Sequence, residues 1–225
     1  MSSKISAFLI GLLGTTFIIL IHEMGHFLAA HLFGIPTPTF SLGFGPAVIQ
    51  LPIGQTSFQL AILPIGGYVE INQEILAQQP YLHKIVVALA GIAFNIMLAG
   101  IIMLYYRYKK ITKAAAQSFS DYFSEQTQSR TFIGPIGLIN IIGKSFYYDK
   151  QLFILILGLI SLNIGLLNLL PLPFLDGGQV LIFTLQTLMG NNFPSALVSV
   201  ISFILLVLFI MFISCISIKD IKNVR

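Results

Sequence analysis

Four long apolar segments dominate this sequence and limit the environments in which it can fold. They run from about residue 5 to 33, 81 to 106, 151 to 170 and 194 to 218. A helix needs about 20 apolar residues to cross the hydrocarbon core of a bilayer, and each segment is long enough. The sequence therefore predicts a mostly α-helical integral membrane protein, multi-pass, with four transmembrane helices.

The composition excludes a soluble globule and a disordered chain. Of the 225 residues, 56% are hydrophobic and 9% are charged, and the mean hydropathy is +0.90. A soluble domain carries about 25% charged residues, and disordered chains are more polar still. The net charge of +4 is typical of basic residues that flank spans and contact anionic headgroups. We expect contact with a lipid bilayer and no nucleic-acid partner.

The stretch between the first two apolar segments differs from an ordinary soluble loop. Residues 39–71 are apolar, rich in glycine and proline, and free of charge until Glu70. Short runs at 48–51 and 57–62, bounded by glycine and proline, indicate strands joined by turns. Non-helical backbone at membrane depth must be buried in protein or line a watery cavity. We therefore expect a small membrane-re-entrant β-hairpin sheet between helices 1 and 2, beside a polar site.

The first apolar segment carries an HExxH pattern at residues 22–26. A charge at the centre of a membrane helix costs about 2.5–3.5 kcal/mol on insertion scales, so such groups mark candidate functional sites. Residues four apart stack on one helix face, so the imidazoles of His22 and His26 can bind one Zn²⁺ together. Glu23 lies close enough to that face to reach a metal-bound water. The alternative, a hydrogen-bonded pair of structural histidines, leaves Glu23 without a role.

A catalytic zinc needs a third protein ligand, and the other histidine and acidic residues are the candidates. His31 faces another side of the first helix, and His83 stands at a span boundary where water reaches it. Glu70 and Glu74 lie near the end of the sheet-like stretch, where we expect them to be solvated. This elimination leaves Asp176.

Asp176 follows a break in the third apolar segment at Pro171 and Pro173. It is the only charged residue between positions 151 and 219. A broken helix at membrane depth exposes its polar groups to a cavity, which suits a metal ligand. An alternative role, which can coexist with the first, is that of N-cap for a helix starting at Gly177.

With both motifs in view, the chain resembles the site-2 protease family of intramembrane zinc metalloproteases, of the bacterial regulator of sigma-E protease type. The HExxH of the family matches residues 22–26, and its NxxPxPxLDG motif matches residues 168–177 without a gap. Residues 39–71 are similar to the re-entrant β-loop of the family. Further likeness extends to Ala90-Gly91 with Asn95, and to GPIGL at 134–138.

This resemblance implies an activity and assigns the site residues. One Zn²⁺ per chain would be held by His22, His26 and Asp176, with a water in the fourth position. Glu23 would be the general base, and Asn168 would contact the substrate. The substrate would be a transmembrane protein, cleaved within or near its spanning segment, and the location the inner membrane of a bacterial cell.

Relatives of this type usually carry one or two PDZ domains between the second and third spans, and here the chain departs from the pattern. The polar link at 107–130 is too short for a domain of about 90 residues. We therefore expect residues 1–225 to form a single membrane core without a PDZ domain. The short link therefore argues against regulation by PDZ gating of pre-cleaved substrates.

Two arguments about membrane orientation disagree. Of the basic residues, 11 lie at Lys4, in 107–150 and in 219–225, whereas Lys84 alone lies on the opposite side. The positive-inside rule then places both termini in the cytoplasm, whereas the family pattern places them outside. We lean towards the family orientation.

Two rival functions are left open by the residues alone. A metal transporter would need further ligands along a path, and the spans hold almost none. A catalytically silent scaffold would show the loss of Glu23 or of a ligand, and all are present. The sequence specifies neither the natural substrate nor the oligomeric state.

Overall fold

The computed structural model describes residues 2–108, 117, 134–190 and 193–224 of the chain. Within these ranges the protein is built mainly from helices, with two strands after the first helix. In chain order the elements are α1 Ser2–Leu32, β1 Thr39–Ile53, β2 Thr56–Glu70, α2 Gln73–Gln78, α3 Tyr81–Tyr108, α4 Pro135–Tyr148, α5 Lys150–Asn168, α6 Asp176–Met189 and α7 Ser195–Val224.

Four of these helices are long and apolar enough to cross a membrane, which confirms the predicted fold class. Their apolar stretches are Lys4–Leu32, Tyr81–Arg107, Lys150–Asn168 and Ser195–Ile218. The protein is therefore an integral multi-pass membrane protein. The third span ends at residue 168, two residues before its predicted end, because Asn168 is the last residue of α5. Most of the polar link predicted at 107–130 lies outside the described residues.

The expected sheet is present, and its strands are longer than the short runs that the sequence indicated. β1 and β2 each contain 15 residues and pair with each other in a two-stranded sheet. Residues 47–53 pair with 56–61 across the turn, whereas 39–42 pair with both 57–60 and 67–70. The strands bend to allow this double pairing, and Gly43 and Gly66 adopt positive φ angles of 94° and 119°. The segment 67–70 therefore lies at one edge of the paired residues.

The described chain divides into two compact units, and each long helix contributes to both. The first unit contains Met1–Thr15, Met97–Leu162 and Leu206–Arg225. In it, the start of α1 packs so tightly on α4 that a methyl group on Gly11 would overlap the carbonyl of Ile139. Ile142 and Ile156 are buried in the same unit.

The second unit contains Thr16–Ile96 and Asn163–Leu205, and all candidate site residues belong to it. A core of buried apolar side chains connects α1, α2 and α3. Its fully buried members are Ala29, Ala30, Ile35, Leu76 and Val87. This core fixes the end of α1 against α3 and so sets the position of the HExxH residues on α1.

Between α5 and α6 the chain passes through the two prolines and turns tightly. Proline cannot continue a helix, and α6 begins again only at Asp176. A methyl group at Gly177 would overlap the carbonyl of Leu169, and one at Gly178 would overlap that of Leu172. The two glycines thus let the first turn of α6 lie directly on the preceding loop, which places Asp176 beside that loop.

Candidate metal centre

Three predicted ligands from α1 and α6 converge on one point. His22 Nε2 lies 3.2 Å from His26 Nε2 and 3.2 Å from Asp176 Oδ2. His26 Nε2 lies 3.4 Å from Asp176 Oδ1. Within the described parts of the chain, these residues form the one group of three or more metal-ligating side chains. The structure therefore brings together the residues that the two sequence motifs singled out.

The donor atoms are close enough together to bind one small metal ion. With zinc–nitrogen and zinc–oxygen bonds of about 2.0–2.1 Å, neighbouring donors of a tetrahedron lie about 3.3–3.4 Å apart. The two imidazole nitrogens, 3.2 Å apart, are close to that spacing, and each of them lies within 3.4 Å of one of the two carboxylate oxygens of Asp176. Two imidazole nitrogens and one carboxylate form a donor set typical of catalytic zinc, with one corner left for water or substrate.

Burial of the carboxylate supports the same conclusion. Asp176 Oδ2 is inaccessible to solvent, and no described group makes a well-aligned hydrogen bond to it. Burial raises the pKa of Asp176, the adjoining imidazoles of His22 and His26 lower it, and the balance lies below the ordinary value. A carboxyl group that stays ionised while buried, with an unsatisfied oxygen, is suited to a cation.

The alternative role of Asp176 as a helix cap is wrong. The N-cap of α6 is Leu175, and no side chain makes the capping hydrogen bond. Asp176 is instead the first residue of the helix. Its carboxylate lies against the histidines, with Oδ2 3.2 Å from His22 Nε2.

A close crossing of α1 and α3 shapes the floor of the site. A methyl group on Gly25 would overlap the carbonyl of Ala90, so the two backbones touch. A methyl group on Gly91 would lie 2.7 Å from His22 Cε1 and 2.8 Å from His22 Nε2, and it would also overlap His26 Nε2. Only glycine at position 91 leaves room for both imidazoles in this arrangement.

The second nitrogen of each imidazole also has a partner on α3. His26 Nδ1 lies 2.8 Å from the carbonyl oxygen of Val87, which can only accept, so Nδ1 carries the proton. This directs the lone pair of His26 Nε2 toward the common point. His22 Nδ1 lies 3.2 Å from the side-chain amide of Asn95. Such outer partners orient metal-binding histidines and select their tautomer.

A cavity of about 380 Å³ opens beside the three ligands. Glu23 lines it, and its carboxylate accepts a hydrogen bond from the backbone N–H of Val69 in β2. Asn168 lines the same cavity, and its side-chain amide donates to the carbonyl of Ile164 at 3.0 Å. Apolar side chains complete the wall, among them Leu76, Val87 and Phe183. The cavity thus combines a base, an amide and an apolar lining.

The other residues considered as ligands stand apart from this group. His31, Glu70 and Glu74 are exposed. His83 is half-buried, with its ring stacked on Phe33, and its Nδ1 lies 3.0 Å from Gln79 Oε1. Their positions agree with the expectation that none of them completes the site.

Sequence reasoning missed two contributors to the site, Gly91 and Asn95, which it noted only for their likeness to a family segment. Asn95 gave a usable signal, because a buried amide in a membrane helix needs a partner. Gly91 and the carbonyl of Val87 gave none, since neither carries a side chain of distinctive chemistry.

Comparison with known proteins identifies the family of this chain. The profile of peptidase family M50 matches residues 8–212, so the chain belongs to peptidase family M50, and the resemblance to site-2 proteases is confirmed. Its fold and family define a membrane protein of the metalloprotease class.

Named relatives carry the same description. A Fusobacterium nucleatum protein named "Putative zinc metalloprotease FN1322" is 22% identical over 81% of this chain and 89% of its own length. A Campylobacter jejuni protein named "Putative zinc metalloprotease Cj1068" is 35% identical over 49% of this chain. An Arabidopsis thaliana protein named "Probable membrane metalloprotease ARASP2, chloroplastic" is 34% identical over 37% of it. The chain spans 33% and 22% of the lengths of the latter two.

Proposed function

We propose that this protein is an intramembrane zinc metalloprotease that hydrolyses a peptide bond within or near the transmembrane segment of another membrane protein. The observation that carries the proposal is the convergence of His22, His26 and Asp176, whose ligand atoms lie within 4.8 Å of one another. Glu23 lines the cavity next to them, as a general base requires. We further propose the inner membrane of a bacterial cell as its location.

The three ligands would hold one Zn²⁺, which would polarise the scissile carbonyl and bring the pKa of a bound water to about 7. Glu23 would accept the proton of the attacking water and pass it to the leaving amine. The Val69 N–H holds the Glu23 carboxylate in place, which reduces the reorganisation that proton transfer requires. Asn168, on the cavity wall, would donate a hydrogen bond to the substrate backbone.

The sheet supplies a way to bind an unwound substrate. A peptide bond inside a helix is shielded, so the substrate must unwind locally before attack. Residues 67–70 lie at an edge of the paired strands, and Tyr68 and Val69 line the cavity. An extended substrate segment could add to this edge and satisfy its backbone hydrogen bonds away from water. The scissile bond would then lie next to Glu23.

The test is cleavage of single-span substrates by purified protein in detergent, with products mapped by mass spectrometry. Wild type would be compared with Glu23→Gln and with Glu74→Gln, a matched change at an exposed glutamate outside the cavity. We expect cleavage within a span by wild type and Glu74→Gln. Glu23→Gln should bind zinc normally but lose at least about 10²-fold in turnover, the usual contribution of a general base.

The same experiment separates the rival functions. A wild-type protein that binds one zinc yet cleaves no substrate in the panel would contradict the proposal and favour a silent scaffold. A wild-type protein that binds no zinc would contradict the ligand assignment itself. Normal turnover by Glu23→Gln would remove Glu23 from the mechanism while leaving the metal site intact.

A further inference from the structure

Asn95 stands out among the residues around the metal centre. It is 0% exposed, and the α3 segment around it is almost wholly apolar. Its side-chain amide lies 3.2 Å from His22 Nδ1, on the side of the imidazole away from the other two ligands. A methyl group on Gly165 of α5 would lie 3.3 Å from Asn95 Cβ, so the backbone of α5 packs against it. The amide is therefore held against His22.

The chemistry of the imidazole limits what this amide can do. Because His22 Nε2 points at the other ligands, a metal bound there leaves the ring proton on Nδ1. That Nδ1–H is a donor and needs an acceptor. The corresponding nitrogen of His26 has one, the carbonyl of Val87 at 2.8 Å. For His22 the only suitable atom on Asn95 is its carbonyl oxygen Oδ1.

In the structure Asn95 Nδ2 lies 3.2 Å from His22 Nδ1, and the hydrogen-bond roles of the pair depend on the tautomer of His22. A half-turn about the Cβ–Cγ bond exchanges the amide oxygen and nitrogen with little change of shape. The half-turn brings Oδ1 to the position that a protonated Nδ1 of His22 requires.

We propose that Asn95 is a positioning residue that selects the metal-binding tautomer of His22, by accepting a hydrogen bond from Nδ1–H through its amide oxygen. The inference rests on the zinc site of the proposed function. In the zinc-loaded protein Oδ1 would face His22, in the role that the backbone carbonyl of Val87 has for His26.

A purely structural role for Asn95 predicts a different result. If the amide only joins α1 to α3, its loss lowers the stability of the metal-free protein and leaves zinc affinity unchanged. If it selects the tautomer, its loss weakens zinc binding by about 10- to 100-fold, as loss of an outer partner of a ligand does. Zinc affinity therefore distinguishes the two roles without any measurement of proteolysis.

The experiment compares Asn95→Asp, which keeps only acceptor oxygens, with Asn95→Leu, which has neither donor nor acceptor. Zinc affinity would be measured in detergent at pH 8 by competition with a chelator of known affinity. We expect Asn95→Asp to bind zinc at least as tightly as wild type, and Asn95→Leu to bind about 10- to 100-fold more weakly. The matched control is Asn140→Leu on α4, whose amide donates to the carbonyl of Ile136 and should leave zinc affinity unchanged.

Each contrary outcome has a distinct meaning. Equal weakening by Asn95→Asp and Asn95→Leu would show that the amide acts as a donor and would overturn the proposal. Wild-type affinity in a folded Asn95→Leu protein would also overturn it. If Asn95→Leu does not fold, Asn95→Asp decides alone, because a required donor predicts weaker binding and a required acceptor does not. Absence of zinc from wild type would instead contradict the proposed function.

Discussion

Helix α1 crosses two other helices so closely that the backbones touch. The packing is the same at both crossings, but it serves a different purpose at each. Near its start, Gly11 of α1 and Gly143 of α4 let the backbones touch. Further along, Gly25 of α1 meets Ala90 and Gly91 of α3 in the same way. Small residues allow such close approach in membranes, where helices cannot rely on the hydrophobic effect to associate.

The side chains around the two crossings differ. Those around the first are apolar, with Ile139, Ile142 and Leu157 close by, and we call it the apolar crossing. The second, which we call the metal-site crossing, faces two imidazoles and is followed on α3 by the buried amide of Asn95. Close packing thus stabilises the fold at the first crossing, and at the second it also holds the imidazole ligands in position. Substitutions should affect zinc binding only at the second.

The largest effect on the metal-site crossing should follow removal of a ligand, as in Asp176→Asn. This change keeps the shape of the side chain but removes its charge, and two imidazoles alone make an incomplete site. We expect zinc affinity to fall by at least about 100-fold, more than the loss of an outer partner causes. Equilibrium dialysis of purified protein would measure it.

The matched control is Asp149→Asn, at a half-buried position between α4 and α5, where the carboxylate accepts a hydrogen bond from the N–H of Gln151. Zinc affinity should not change there. If Asp176→Asn bound zinc as tightly as wild type, Asp176 would not be a zinc ligand. The proposed difference between the metal-site crossing and the apolar crossing would then lose its support.

The comparison itself can be tested by adding one methyl group at each crossing. Gly91→Ala places a methyl group against both imidazoles, so zinc affinity should fall by about tenfold. Gly143→Ala places a methyl group against the backbone of Ala7, where overpacking should cost about 1–3 kcal/mol of unfolding free energy. Zinc titration and thermal unfolding of both variants in detergent would measure these effects.

Gly143→Ala should leave the zinc affinity of the folded protein unchanged, because the atoms nearest to its methyl group belong to Ala7 and Gly11. The distinction between the crossings is wrong if Gly91→Ala and Gly143→Ala both lower thermal stability without changing zinc affinity. It is also wrong if both lower zinc affinity to the same extent. Gly100→Ala serves as a control for the substitution, since no atom lies within 4 Å of a methyl group there.

The sequence predicted the ligands better than it predicted their surroundings. His22, His26 and Asp176 could be found because ionisable groups in apolar segments are rare and costly. The four spans followed from hydropathy for the same reason. In each case a single residue or a simple run carries the physical signal, without knowledge of which elements meet in space.

The features that sequence reasoning could not supply depend on contacts between distant elements. Gly91 is one of 19 glycines, and only the crossing with α1 gives it a role. The pairing of residues 39–42 with both 57–60 and 67–70 depends on how β1 and β2 bend, which alternation of side chains does not encode. The carbonyl of Val87 acts through its backbone, which every residue shares.

A smaller effect, on substrate cleavage and not on zinc binding, is expected for Asn168→Ala. Asn168 lines the cavity but is not among the three grouped ligands. Loss of one hydrogen bond to substrate, about 0.5–1.5 kcal/mol, should lower kcat/KM by about 2- to 12-fold. Steady-state cleavage assays and zinc titration of the same preparation would measure both properties.

Zinc affinity of Asn168→Ala should equal that of wild type. A loss of zinc would show that Asn168 supports the metal rather than the substrate, and wild-type kcat/KM would exclude a substrate contact. Asn140→Ala is the matched control, because Asn140 likewise donates to the carbonyl four residues earlier on its own helix.

The smallest effect should come from a contact that joins α3 to α6 away from the ligands. Tyr81 Oη lies 3.0 Å from Thr184 Oγ1, which itself donates to the carbonyl of Val180 at 2.7 Å. The tyrosine hydroxyl is therefore the donor of this pair. Tyr81→Phe removes only that hydroxyl, and because the pair is exposed we expect a loss near the lower end of about 0.5–1.5 kcal/mol.

Zinc titration of Tyr81→Phe would show how local the metal-site crossing is. If the ligands are fixed by the glycine contacts and by Asn95, loosening α6 at Thr184 should change zinc affinity by less than about threefold, under 1 kcal/mol. A larger change would mean that the position of Asp176 depends on the far part of α6. The contacts that hold the ligands in place would then include the packing of α3 against α6 around Tyr81 and Thr184, in addition to the metal-site crossing.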